Sequence, residues 1–179
     1  MLEKGRRRTV IAVVGHTDLT PQTWKPFEAE LGDSLERLAQ PGSMVLVRAG
    51  RGLPVVAGRA ARKAGLPLVV VLPSQGSVPA LLPAPDRAAA GELLFLAAHV
   101  RLVPYDPVDR SACRSADERL VCSSRQVLVV WDGSASHAQD ATAHLITYAR
   151  SRSIATETLR ARDCIRRSTQ PLDLPGESS

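Results

Sequence analysis

The sequence predicts an α/β fold, a three-layer sandwich with a mostly parallel central sheet. Two observations carry this. Short β-branched runs recur along the chain at intervals that leave room for about one helix each. The clearest of them, at 10–14 and in LPLVVVLP at 66–73, are apolar on both faces, as strands covered by helices on two sides must be. Right-handed crossovers then join neighbouring strands.

The elements follow in order. A strand over 9–14 ends at Gly15. In TWKPFEAELGDSLERLAQPG, residues Trp24, Phe27, Leu31, Leu35 and Leu38 recur at spacings of three and four, so a helix with one apolar stripe follows and stops at Pro41-Gly42. A strand over 43–47 leads through AGRGLP at 49–54 into a helix over 55–64 that stops at Gly65. The strand at 67–72 is followed by a Pro-, Gly- and Ser-rich loop at 74–85 and a helical stretch at 86–98. Next come a strand at 99–103 ending at Pro104-Tyr105-Asp106-Pro107, a polar helix at 109–125, a strand at 126–131, a helix at 138–152 and an edge strand at 154–159. The expected division is a basic arm at 1–8, one domain at 9–160, and a polar tail at 161–179 whose QPLDLPGESS predicts disorder.

Composition bounds the function. A chain of 179 residues, 44% hydrophobic and 23% charged, can bury a core without metal or disulfide staples. No apolar run approaches the roughly 20 residues that a membrane span needs. The basic start MLEKGRRR leads into a short strand-like run rather than a signal-peptide core, so the expected location is the cytoplasm, with no membrane partner. Cys113, Cys122 and Cys164 are odd in number and widely spaced, which predicts reduced thiols. The net charge of +5 sits mainly at the ends, +3 of it in residues 1–8. Basic ends can hold a phosphate backbone, but two Trp, two Tyr and two Phe offer little stacking surface, so nucleic acid is not favoured over solvated tails.

Function is expected where the strands end. In open parallel sheets the ligand lies beyond the carboxyl ends of the strands, near the reversal of strand order. Four loops qualify, at 15–20, 49–54, 73–77 and 132–142, all rich in small or hydroxyl residues. Free backbone N–H groups at Gly15, His16 and Thr17, before a helix start, suit a phosphate. The predicted ligand site is therefore Gly15, His16, Thr17, Gly50, Gly52, Pro73, Ser74, Asp132, Gly133 and Thr142. There Asp132 could accept from a sugar hydroxyl and Thr142 could donate to a phosphate.

The segments VVGHTDLTP, GRGLPVVAGRAARKAGLP, VVVLPS and VLVVWDGSASHAQDATAHLITYAR together resemble the SLOG branch of the LOG-like Rossmannoid superfamily, over roughly residues 9–159. That superfamily includes nucleotide-sensing proteins, the DNA-processing protein A family and phosphoribohydrolases acting on nucleoside monophosphates. The resemblance implies a Rossmann-like parallel sheet, a nucleotide-like ligand and a homodimer; a fold alone does not imply an enzyme. The chain departs from the pattern twice. Pro54 stands where the second loop usually carries an acid, and Asp140-Ala141-Thr142 stands where the last helix usually opens with Gly-Gly-Thr. The glutamate a few residues beyond that threonine, which the phosphoribohydrolases need, is also missing.

Other groups admit two readings each. His16 beside Asp18 could be an oriented base, or Asp18 could cap a helix. Asp140 could repel a phosphate or cap its own helix, and Asp132-Gly133 could be a plain turn. His137 and His144 lack a third metal ligand, so no metal is expected, nor any cofactor. Trp131 reads as core before it reads as a stacking platform. Cys122, Ser123 and Ser124 lack a base partner, so nucleophilic catalysis is not indicated. The run LLFLAA at 93–98 is more apolar than one buried helix stripe needs, which predicts self-association through helices, against burial within one copy. The predicted function is binding of a nucleotide or related phosphorylated small molecule by a sensor or degenerate enzyme relative. Two alternatives stand beside it. One is a nucleoside monophosphate N-glycosidase using His16, Asp18, Asp132 or Asp140; the other is a DNA-binding relative using the Arg-rich ends.

Overall fold

The computed structural model describes residues 9–16, 21–131 and 137–161. Twelve elements are present among them: β1 (Val10–His16), α1 (Pro21–Leu38), β2 (Met44–Arg48), α2 (Leu53–Lys63), β3 (Leu68–Gln75), β4 (Val78–Pro79), α3 (Ala84–Leu96), β5 (His99–Pro104), α4 (Arg110–Cys122), β6 (Gln126–Trp131), α5 (His137–Ser151) and β7 (Ala155–Arg160). Each strand expected from the sequence forms, its ends within three residues of the expected ones.

The six longer strands are all parallel and lie side by side in the order β5, β3, β2, β1, β6, β7. Chain order runs one way from β1 through β2 and β3 to β5, then returns to the other side of β1 with β6. The helices divide accordingly, and the alternation of side chains along a strand divides the core with them. On β1, Ile11 and Val13 join Phe27, Leu31 and Leu35 of α1 and Val56 and Ala60 of α2 in one fully buried cluster. Ala12 and Val14 face the opposite way, towards Leu120 and Val121 of α4 and Leu145 and Ala149 of α5. A doubly wound sheet covered on both faces results, as the two-sided apolar strands require.

The helix ends obey local chemistry. The Asp109 carboxylate accepts from the Ser111 N–H at 2.9 Å and so caps α4. At the other end of α4 the hydroxyls of Ser123 and Ser124 donate to the Leu120 carbonyl at 2.9 and 2.8 Å. One segment differs from expectation. Residues 74–79 are not an open loop: β3 runs on to Gln75, turns at Gly76 with φ 64°, and pairs with β4 antiparallel. Pro73 and Pro79 cannot donate to a ladder, which keeps this hairpin short, and the Ala80 N–H closes it on the Pro73 carbonyl at 2.8 Å.

Candidate functional site

The reversal of strand order falls between β1 and β6, and their carboxyl ends lie in register, Gly15 opposite Val130 and His16 opposite Trp131. Trp131 in turn lies opposite Arg160 at the end of β7. The edge therefore carries His16, Trp131 and Arg160 in one row, and the Arg160 guanidinium sits 5.5 Å from the centre of the Trp131 ring. An arginine over an aromatic face is held by the ring quadrupole. The last helix, α5, starts at His137 on this same edge.

Gly15 has a structural task. Its φ is +132°, and a Cβ placed there would lie 1.8 Å from the Val130 carbonyl oxygen, with the Val130 carbonyl carbon and nitrogen at 2.8 and 2.9 Å. Only glycine lets β1 approach β6 so closely. A larger side chain here, as in Gly15→Val, would therefore collide with the Val130 backbone and disturb the strand pair itself.

The neighbouring loop leaves β2 from the same edge. Gly52 opens α2 with φ 77°, a conformation that side chains rarely adopt, and no side chain caps this helix. Its carbonyl instead accepts from the Val55 and Val56 N–H groups, at 3.1 and 3.3 Å. Pro54 fits the first turn, where a missing N–H costs nothing. Gly50 has no neighbour within 4 Å of where a Cβ would stand. The loop is tied to α3 by the Arg51 N–H, which donates to the Asp86 carboxylate at 3.1 Å.

The remaining predicted residues are less exposed to a ligand. Pro73 and Ser74 lie inside β3, buried, with Ser74 flanked by Pro79 of β4 and Pro104 of β5. Thr142 belongs to the second turn of α5 and is only 5% exposed. Asp140 lies in the first turn of that helix. Thr17, Asp18, Asp132 and Gly133 lie outside the described residues. The strand ends thus bring Gly15 and His16 beside Trp131, with Gly50 and Gly52 in the loop after the next strand, and leave Pro73 and Ser74 two strands from β1.

A second polar cluster, not anticipated from the sequence, sits where β2 ends against α4. The Arg48 guanidinium donates to both Asp117 carboxylate oxygens, at 2.6 and 3.2 Å. Burial pushes the nearby Tyr105 phenol up to about 12, and burial also raises the Cys113 thiol. On the outer face of α4 and α5, His144 Nε2 meets the Glu118 carboxylate at 2.6 Å and Cys122 meets the Tyr148 hydroxyl at 3.1 Å. Among the described residues no three His, Cys, Asp or Glu side chains are grouped to hold a metal ion. No helix among them is long and apolar enough to cross a membrane.

The strand order and the two-sided helix cover define a doubly wound α/β protein of Rossmann-like type. Solved structures of the same architecture agree. TM1055, a structural-genomics protein, is similar over 83% of this chain and 72% of its own, with TM-score 0.52 and 18% identity. The Moco carrier protein from Chlamydomonas reinhardtii is similar over 91% and 85%, with TM-score 0.52 and 18% identity. DNA processing protein A from Helicobacter pylori, described for its single-stranded DNA binding mode, is similar over 90% and 80%, with TM-score 0.53 and 10% identity. No family model matches the chain, and no curated protein matches it in sequence. At 10–18% identity these likenesses show a shared Rossmann-like fold.

Proposed function

We propose that this protein binds a nucleotide or a related phosphorylated small molecule at the carboxyl edge between β1 and β6, as a sensor or a non-catalytic relative of an enzyme. The observation that carries the reading is the reversal of strand order at these two strands. Chain segments leaving them cross over in opposite directions, and the space between becomes a crevice. The start of α5 supplies helix N–H groups to that side, which favours an anion, and Arg160 over Trp131 adds a cation beside an aromatic face. A phosphate and a flat base together match those two features.

The Moco carrier protein and DNA processing protein A are named for carrying and for binding, which supports a binding role on this fold. The absence of an acid at Pro54 and of a glutamate within a few residues of Thr142 supports a non-catalytic one. The same reading makes the protein cytoplasmic and pairs it with a second copy.

Thermal shift with a panel of nucleoside mono- and diphosphates, inorganic phosphate and a single-stranded oligonucleotide tests the reading. A nucleoside phosphate should raise the melting temperature, since a ligand at 100 times its Kd adds about 2.7 kcal/mol to the folded state. Arg160→Ala should weaken that shift. Free base among the products would favour the N-glycosidase alternative. Oligonucleotide binding that falls steeply with salt, with no response to mononucleotides, would favour the DNA-binding one.

A further inference from the structure

From the two edges of the sheet we infer that this chain pairs with a second copy through the β5 edge and the last turn of α3, the two β5 strands lying antiparallel across a two-fold axis. The inference deepens the pairing proposed above by naming its surface. Edge strands present a row of unpaired N–H and C=O groups, and proteins that keep an edge free blunt it with charge. The β7 edge is blunted in that way: its residues are ATETLR, and Glu157 is held at 2.6 Å by Arg37. The β5 edge is not. Its six residues HVRLVP carry Arg101 as the one full charge, and they are exposed or half-buried throughout, although parallel strands are ordinarily covered on both faces.

Register explains the exposure. Val100 and Leu102 lie opposite Val70 and Leu72 of β3, which are buried under the α2 and α3 layer. The apolar face of the sheet therefore continues one strand beyond its helix cover, leaving Val100 47% and Leu102 39% exposed. At the end of α3, just before β5, Leu94 is 43% and Phe95 83% exposed, while Leu93 is fully buried. The run LLFLAA is thus split, one stripe serving the monomer and the other left outside. A helix apolar on both sides is one that a partner covers.

The occupant is a second copy because one patch supplies both halves of the contact. A free strand edge is satisfied by another free edge, and an identical β5 brings its own Phe95 and Leu94 to the uncovered strip by the same two-fold. The polar β7 edge of another copy would offer no apolar match. The four side chains expose on the order of 400 Å² per protomer, within the ~300–600 Å² of the largest apolar patch on a typical monomer, a patch that is often functional. With the strand backbone and the small Ala88 and Gly91 on the exposed side of α3, the total from two copies reaches roughly the 1,200 Å² at which stable interfaces begin.

Light scattering at micromolar concentration, with wild type, Leu102→Lys, Phe95→Asp and, on the opposite edge, Thr158→Lys, tests the inference. Wild type and Thr158→Lys should give twice the chain mass of 19.2 kDa, and both β5-side variants should give the mass of one chain with unchanged circular dichroism. All three replaced side chains lie on the surface, so folding is retained. A wild-type monomer would overturn the pairing and its route together. A dimer indifferent to Leu102→Lys and Phe95→Asp would overturn the route alone. Larger assemblies that Thr158→Lys dissolves would mean head-to-tail pairing of unlike edges and would likewise overturn it. Nucleotide thermal shifts on the same samples report the ligand site independently of mass.

Discussion

Gly15→Ala is the sharpest perturbation of this fold. The added methyl carbon would stand 1.8 Å from the Val130 carbonyl oxygen, at a φ of +132°. The backbone conformation alone costs roughly 1–3 kcal/mol for a residue with a Cβ. Relieving the overlap means moving β1 away from β6, because the obstructing atoms are backbone and cannot rotate aside; overpacking of this kind costs typically about 1–3 kcal/mol. The two together make a loss of about 2–6 kcal/mol, a large part of the roughly 5–15 kcal/mol that holds a domain folded. Urea unfolding followed by circular dichroism reads this as a lowered midpoint at unchanged slope, by about 2 M for a slope of about 2 kcal/mol/M. Gly50→Ala is the control: a Cβ there meets nothing within 4 Å, so its effect should stay within about 0.5 kcal/mol. A loss below about 1 kcal/mol for Gly15→Ala would refute the assignment of Gly15 to strand packing and return it to the ligand.

Arg48→Ala should cost about 2 kcal/mol in the same assay, below the ~3–5 kcal/mol of a fully buried pair because Arg48 and Asp117 keep 29% and 20% of their side-chain surface in water; equal loss from Arg48→Lys would mean that the two-point geometry matters as much as the charge. The Arg37 guanidinium, by its hydrogen bond first, holds the Glu157 carboxyl below its ordinary value of 4.5. Stability from this pair is therefore present above about pH 4.5 and is lost as pH falls through the lower folded value, so wild type should lose more than Arg37→Ala between pH 5 and pH 3 in urea midpoints. Iodoacetamide should modify exposed Cys122 before Cys113, whose thiol burial raises and half-covers, and peptide mapping that shows the reverse order would contradict the packing of α4.

Legibility in the sequence followed the range of the forces involved. The strands at 10–14 and 68–72 were readable because burial on both faces leaves only apolar β-branched residues, and α1 because Phe27, Leu31 and Leu35 keep helical spacing. The polar strand after Ile154, expected at an edge, forms as β7. Residues 74–79 were not: two serines, a glycine and a proline spell a loop, and a pairing closed by the Ala80 N–H on Pro73 overrules that reading. Thr142 was likewise expected to donate to a ligand, but it lies in the second turn of α5, which starts at His137 within a residue of its expected span, and it is buried there.

The sequence by itself determined the layers and the alternation of strand and helix, since each depends on periodicity and on turn residues a few positions apart. Tertiary structure alone decided which strand ends stand together. It set Trp131 between His16 and Arg160 and fixed Gly15 against Val130. It also joined Arg48 to Asp117 across 69 positions, and left Val100 and Leu102 beyond the reach of α3. These are contacts between segments far apart in the chain, formed only when strand order and register are fixed by packing the whole core at once, and no local pattern of residues encodes them.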